Sequence, residues 1–469
     1  VRCSKHPDIM DALLQANPHL SGRQRTRTFE IMGFSPLRNG PSPLCNSHRG
    51  QSHQVDWQAL ENHLQEHPEE AKVLCISWGE NDLRFPLEAA LHFGDLQIPL
   101  STVQLLLRIC PEAATGPDSC ILSYACTHHR LEDPEIIRTI LQANPKLAML
   151  SGTECCGYSY EEQMGLPLHA AVYFLLPACA AQVIPDLLEA YPEGVASDTN
   201  IYDQIPLQVA TDRHHLSPEV LRILLEAGHC HSFGGRGQLF AGEGNTVDTT
   251  AMQSLIENAS LHREEWERGI GDRMWQNLCL GLKAAGAFKT GLTVETMWDY
   301  PLLQAAIEFG TRQYIVGVVL EQHTVRADLD RADALGRTPL AVAIEMAGSN
   351  HHHDPDDICF AAIIQKLLDD QLHGSSQSAS VPLNESLPLH RALHHGVGLE
   401  DGSQYILEAF PGAVAVLDPE PKLLPCLLAA VGERARVNTI FGLMVLRPDL
   451  IAALCQAIAV GEEVDSGIR

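Results

Sequence analysis

Apolar positions along the chain fall into short blocks that recur. Six blocks share the order Pro-Leu-x-x-Ala and begin at Pro86, Pro167, Pro206, Pro301, Pro339 and Pro388. Two weaker copies, Ile121-Leu122-Ser123-Tyr124-Ala125 and Pro425-Cys426-Leu427-Leu428-Ala429, extend the series. In the Pro339 copy, Leu340, Ala343 and Ile344 lie at i, i+3 and i+4, the spacing of one helix face. The proline sits at the first helical position, where a missing N–H costs nothing. A second apolar helix follows, closed by another proline. Examples are Ile140-Leu141-Gln142-Ala143-Asn144-Pro145, Leu187-Leu188-Glu189-Ala190-Tyr191-Pro192 and Ile406-Leu407-Glu408-Ala409-Phe410-Pro411. An earlier copy ends at Pro18, and related forms end at Pro68, Pro111 and Pro448. A proline inside a helix costs about 3 kcal/mol, so each marks a helix end. The predicted unit is helix, turn, helix, proline stop and extended connector.

The blocks are regularly spaced. From position 86 to 121 is 35 residues, from 167 to 206 is 39, from 301 to 339 is 38 and from 388 to 425 is 37. The remaining gaps, of 46, 95 and 49 residues, predict insertions. Ahead of Pro339, Gly336 suits the positive φ of a tight turn, and the Thr338 hydroxyl suits an N-cap. The whole stretch, Asp333-Ala334-Leu335-Gly336-Arg337-Thr338-Pro339-Leu340-Ala341-Val342-Ala343, resembles the D-x-x-G-x-T-P-L-x-x-A core of an ankyrin repeat, a unit of about 33 residues. The resemblance covers most of residues 55–460. It implies an all-α fold, an α-solenoid of roughly nine to eleven degenerate ankyrin-like helix-turn-helix repeats with loop insertions.

The copies depart from the family pattern in a consistent way. Phe85, Leu166, Ile205, Tyr300 and Leu387 stand where Thr338 supplies a hydroxyl. Each loses a cap worth about 1 kcal/mol, and burial of the large apolar side chain between neighbouring units offsets it. His169 and His390 match the family's P-L-H histidine, which the resemblance assigns to hydrogen bonds within and between repeats.

In chain order, residues 1–20 read as the second helix of a truncated repeat and 21–54 as a flexible polar loop. Repeats run over 55–228, with an inserted finger between Leu150 and Leu166. Residues 229–299 combine a glycine-rich loop with a helical insertion or atypical repeat from Met252 to Phe288. Its apolar face is Leu255, Trp266, Met274, Trp275, Leu278 and Leu282. Repeats and a carboxy-terminal cap occupy 300–460, interrupted by polar loops at 348–357 and 374–380, and a tail follows at 461–469.

Composition narrows the function. Hydrophobic residues at 45% and charged residues at 19% fit a folded chain, and aromatics at only 6% favour helix packing through small side chains. The net charge of −27 argues against nucleic-acid binding and favours a basic protein partner. The fourteen cysteines follow no disulfide spacing, as expected for reduced thiols in the cytoplasm or nucleus. No apolar run reaches the 18 residues a membrane span needs. The chain opens on Val1, so an incomplete amino terminus is expected, and any signal peptide would be hidden.

Candidate chemistry is weak. His351-His352-His353 and His229-Cys230-His231 lack partners at zinc-ligand spacing, and the adjacent pair Cys155-Cys156 bonds only with strain. From Gly281 to Thr290 the sequence nearly matches a phosphate-binding loop, but Lys289-Thr290 falls two residues late and the segment reads as helix. No G-x-S-x-G, H-E-x-x-H or kinase signature is present. No catalytic, cofactor or metal residues are assigned, and the chain is expected not to be an enzyme.

The resemblance implies a non-catalytic scaffold or adaptor that binds protein partners in the concave groove of the array. Carried onto this chain, the groove positions are Phe93, His128, Tyr173, Phe174, Arg213, Met346, His394 and His395 at helix ends, with Ile201, Tyr202 and Arg337 at finger tips. The column collects aromatics from an aromatic-poor chain. A substrate-recognition subunit of an enzyme complex, such as ubiquitin transfer, is one alternative. A metal or redox sensor is another.

Overall fold

The computed structural model describes residues 56–446 except 73–74, 77–82, 94–97, 116–118, 128–132, 152–164, 198–203, 212–215, 231–253, 258–271, 310–312, 323–328, 330, 350–358, 373–379, 381, 383–385 and 432–434. It also describes 448, 449 and 452. The predictions for residues 1–54, most of the 229–250 loop, Trp266, Cys155-Cys156 and His351-His352-His353 lie outside the described residues. The fold is all-α. A two-residue antiparallel ladder, β1 (Cys75–Ile76) with β2 (Leu83–Arg84), is a minor addition. The chain divides into two compact units, Val1–Leu278 and Cys279–Arg469.

In the first unit, α1 (Trp57–Glu66) is capped by Asp56, whose carboxylate accepts from Ala59 N at 2.9 Å. Pairs follow: α2 (Pro86–Phe93) with α3 (Leu100–Ile109), then, after the short α4 (Glu112–Thr115), α5 (Ile121–Thr127) with α6 (Pro134–Ala143). Next come α7 (Pro167–Phe174) with α8 (Pro177–Ala190), and α9 (Pro206–Thr211) with α10 (Pro218–Cys230). First helices stack on first helices in the order α2, α5, α7, α9, and second helices in the order α1, α3, α6, α8, α10. Arg138 on α6 ties two second helices together, donating to Asp186 Oδ2 at 2.7 Å and to the Gln182 carbonyl at 3.1 Å on α8.

Helix α11 (Asp272–Thr290) contains the sequence that nearly matched a phosphate loop, and Trp275, Leu278 and Leu282 on it are buried. In the second unit, α12 (Leu302–Glu308) pairs with α13 (Gln313–Gln322) and α14 (Pro339–Ser349) with α15 (Phe360–Leu372). After these, α16 (Pro388–His394) pairs with α17 (Gln404–Ala409), and α18 (Pro425–Val431) with α19 (Val437–Leu446). The same two stacks form, α12-α14-α16-α18 and α13-α15-α17.

Two expectations about the unit are corrected. Among the described residues, the connectors after Pro68, Pro111, Pro145, Pro192 and Pro411 do not begin extended. Residues ahead of the proline (Cys110, Asn144, Tyr191 and Phe410) leave the helical region, as steric conflict with a following proline requires. The proline's own φ then starts a new turn of helix: 3₁₀ at Pro68–Lys72, Pro145–Met149, Pro192–Ala196 and Pro411–Ala415. These turns bury small or apolar residues such as Leu147, Ala148, Val195, Ala413 and Val414. Asn144 links two successive turns, donating to the Ala114 carbonyl at 2.7 Å and accepting from Lys146 N at 3.2 Å.

The second correction concerns the missing caps. Thr338 caps α14 as expected, accepting from Ala341 N at 3.3 Å. In three of the other copies the third helical residue reaches back to the N-cap N–H. Phe85 N donates to Glu88 Oε2 at 3.0 Å, Leu166 N to His169 Nδ1 at 3.2 Å and Ile205 N to Gln208 Oε1 at 3.0 Å. This is half of a capping box, so one orphan donor remains satisfied without a hydroxyl. Leu166, Tyr300 and Leu387 are buried as well. Tyr300 fills the space a side chain on Gly286 would need, where a Cβ would stand 2.2 Å from its ring.

Candidate functional site

The positions assigned to the groove separate into three groups. His128, Ile201, Tyr202 and Arg213 lie outside the described residues, and Phe93 closes α2 with its side chain outside them. Tyr173 and Phe174 end α7. The helix turns Leu168, Ala171 and Val172 inward and leaves Tyr173 38% exposed. The two rings meet edge to face with centroids 4.8 Å apart, and exposed Leu176 follows at the start of α8. In the second unit Met346 on α14 is half-buried, His394 on α16 is exposed and His395 is half-buried.

Arg337 is the exception, since it is only 8% exposed and turned inward. The cause is the turn before α14. Asp333 Oδ1 accepts from Leu335 N and Arg337 N, both at 2.9 Å, and Gly336 takes φ 75°. This brings the Arg337 side chain back over Asp333, with Nε 2.8 Å from Oδ2. The guanidinium then meets Glu308 of α12 through Nη1 to Oε1 at 2.9 Å and Nη2 to Oε2 at 3.1 Å. Arg337 is therefore a core ion-pair residue rather than a tip residue.

The pair sits in a larger network. Lys289 at the end of α11 lies 2.6 Å from Glu308 Oε1, and the Tyr300 hydroxyl donates to Oε2 at 3.1 Å. Glu345 on α14 accepts from Arg337 at 3.2 Å and is paired on its other oxygen with Arg391 of α16. Signs alternate along Lys289, Glu308, Arg337, Glu345 and Arg391. Burial pushes the Glu308 carboxyl up, but hydrogen bonds from Arg337 and Lys289 outweigh it and hold it below the usual carboxylate range. Burial opposes charge on Arg337 too, and Glu308 and Asp333 more than restore it. Burial beside Glu308 and Asp333 pushes the Tyr300 phenol up.

A second cluster lies at the foot of the finger before α18. The Asp418 side chain is buried and accepts from Ser386 Oγ at 2.7 Å and Glu420 N at 2.9 Å. His394 Nε2 is 3.4 Å from its Oδ2. His390 Nδ1 is 3.7 Å from the same oxygen and has no hydrogen-bond partner, while Nε2 donates to the Val416 carbonyl at 3.0 Å. Burial keeps the His390 and His395 imidazoles below their ordinary range. The composition is Ser, His and Asp, but the serine donates to the carboxylate, not to an imidazole, so no base activates it.

His169 and His390 occupy equivalent places. His169 is fully buried, accepts from Leu166 N and places Nε2 3.1 Å from the Ser197 carbonyl and 3.0 Å from that of Gln204. Both imidazoles fasten a helix start to the following connector.

Among the described residues, no three His, Cys, Asp or Glu side chains group to hold a metal ion, and no helix is long and apolar enough to cross a membrane. Cys110, Cys126 and Cys179 are free thiols and buried. Lys289 of the near-match phosphate loop is committed to Glu308. The charge network and the Asp418 cluster were not assigned from sequence. Their signals were present: Glu308 is the one charge in the apolar run Leu302–Phe309, and Asp333 precedes Arg337 by four. No family model matches the chain, and no curated protein matches it in sequence.

Proposed function

We propose that the chain is a non-catalytic protein-binding scaffold or adaptor. In this reading it is an α-solenoid of divergent ankyrin-like repeats, whose partner docks across the carboxy-terminal ends of the first helices. The observation that carries the reading is the Tyr173–Phe174 pair. Two aromatic rings stand at the end of α7 beside exposed Leu176, on a chain with only 6% aromatic residues. Rigid aromatic side chains give large contact area at low entropy cost and anchor interfaces. The stacking of first on first and second on second helices supports the ankyrin-like reading. The net charge of −27 favours a basic protein partner in the cytoplasm or nucleus over nucleic acid.

The test has two stages. The full chain is used as bait, and recovered proteins are identified by mass spectrometry. Affinity for each is then measured with the double substitution Tyr173→Ala and Phe174→Ala. The expected result is binding at least about tenfold weaker, roughly 1.4 kcal/mol, with unchanged helical content. Full affinity with intact helices would move the docking site away from α7.

A further inference from the structure

In the first unit, α8 packs between α6 and α10. Burial pushes the Cys179 thiol in the first turn of α8 up, and the Asp133 carboxylate at the N-cap of α6 adds to this, with Arg138 opposing. The starts of α6 and α8 are therefore neighbours. The α9–α10 pair repeats the α7–α8 arrangement and sets Glu219, in the first turn of α10, on the other side of α8. Between these two carboxylates the surface is apolar. Leu176 is 42% exposed, Pro177 and Ala178 are exposed, and Tyr173 and Phe174 close α7 beside them. Asp133 and Glu219 are exposed, and among the described residues neither has an ion-pair partner. Their interactions are local: Asp133 Oδ1 accepts from Glu135 N at 3.0 Å, and Glu219 N donates to Ser217 Oγ at 3.2 Å. Glu135 and Glu226 on the same helices are instead held by Arg138 and Arg222, each at 2.7 Å. No Lys or Arg stands in the first turn of α3, α6, α8 or α10.

An apolar surface between two unneutralised carboxylates selects its occupant by charge as well as by shape. Packed helices lie roughly 8–10 Å apart, so α6 and α10 stand about 16–20 Å apart across α8. An extended chain rises about 3.3 Å per residue and crosses that span in roughly six residues. We propose, building on the docking reading at α7, that the partner presents an extended segment of this kind: one large apolar side chain over Tyr173, Phe174 and Leu176, with a Lys or Arg about three residues to either side meeting Asp133 and Glu219. The apolar anchor supplies most of the affinity. Exposed ion pairs contribute little each, so the carboxylates choose the partner more than they hold it.

The probes are four nine-residue peptides in a Gly/Ser background. Three carry tryptophan at the centre, with arginine, serine or glutamate at both the second and the eighth positions. The fourth keeps the arginines and has alanine at the centre. Each is titrated against the full chain at about 0.15 M salt, where charges beyond about 8 Å are screened and the net charge of −27 acts little at a distance. The arginine-flanked tryptophan peptide is expected to bind at least about threefold tighter than the serine-flanked one, and the alanine peptide at least about tenfold weaker. In the variant Asp133→Asn with Glu219→Gln, the arginine advantage is expected to vanish while helical content is kept, because Asn caps a helix as Asp does. An arginine advantage that survives in this variant would overturn the proposal, by assigning the attraction to net charge. So would serine or glutamate flanks binding as tightly as arginine, or no binding by any of the four at millimolar concentration. In the first two cases the docking reading stands if Tyr173→Ala with Phe174→Ala abolishes peptide binding. Binding indifferent to that pair would sink the docking reading itself, and this proposal with it.

Discussion

Arg337 and Glu308 meet fork to fork, through parallel hydrogen bonds of 2.9 Å and 3.1 Å, with the Glu308 side chain 1% exposed. Glu308 ends α12, and Arg337 precedes α14, the next first helix in the stack. The bond therefore joins consecutive helix pairs. A planar guanidinium matches a carboxylate in this geometry, and an ammonium does not. Asp333 closes the other side of the guanidinium, so each charge in the core has a partner. A buried network that is fully satisfied fixes one arrangement, because any slip of α14 against α12 would strand a charge.

Removing Arg337 leaves Glu308 and Asp333 without their shared cation. Arg337→Met is expected to cost about 3–5 kcal/mol in urea unfolding of the full chain. Arg337→Lys should recover only part, since the fork is lost. Lys289→Met should cost far less, because Lys289 is 42% exposed and its charge is screened. The Glu308 carboxyl is lowered in the folded state. Its contribution is thus complete above the unfolded value of about 4.3 and lost as pH falls through the folded one. A loss under about 1 kcal/mol for Arg337→Met would count against a coupling role.

Much of this fold was legible because its signals are local. Pro167 and Leu168, or Tyr191 and Pro192, state a helix start or stop within two residues. The turn after the stop was missed because Pro192 was read only as a breaker, although its φ also suits a new helical turn. Charge pairing was harder to read. Glu308 stands 19 residues from Lys289 and 29 from Arg337, so the partners are set by stacking and not by periodicity. Arg337 was placed at a tip because the family pattern assigns that position to solvent. The Asp333 carboxylate, four residues earlier, overrides that pattern.

The second unit should lose stability in mild acid through two imidazoles. His390 is lowered chiefly by burial and secondarily by His394, against opposing effects from the Val416 carbonyl and Asp418. His395 is lowered by burial, then by Arg391 and His394, against Glu345. A depressed histidine stays neutral when folded but takes a proton when unfolded. Stability is therefore full above about pH 6.5 and falls as pH drops toward the folded values, by up to about 1.4 kcal/mol per pH unit per group. Asp418 is lowered as well, and adds its own loss only below about pH 4. Unfolding titrations from neutral pH down to pH 5 are expected to slope less steeply in His390→Gln and in His395→Gln. An unchanged slope in both variants would locate the acid sensitivity elsewhere.

Leu168 and His169 adjoin on α7 and should fail for different reasons. Leu168 is 3% exposed, so Leu168→Ala removes packing and is expected to cost about 2–5 kcal/mol. His169→Ala also empties space, but its larger effect is on hydrogen bonding. The Leu166 N–H loses its acceptor, and the Ser197 and Gln204 carbonyls lose the imidazole that faces both. The Leu166 N–H, buried and left unsatisfied, costs about 1–3 kcal/mol. His169→Gln can restore one of these bonds through its side-chain amide, so it is expected to lie between the wild type and His169→Ala. The discriminating measurement is hydrogen exchange. Leu168→Ala should speed exchange across the α7–α8 pair, whereas His169→Ala should speed it most at the Leu166 amide. Equal acceleration at all these sites in both variants would mean that His169 acts by filling space alone.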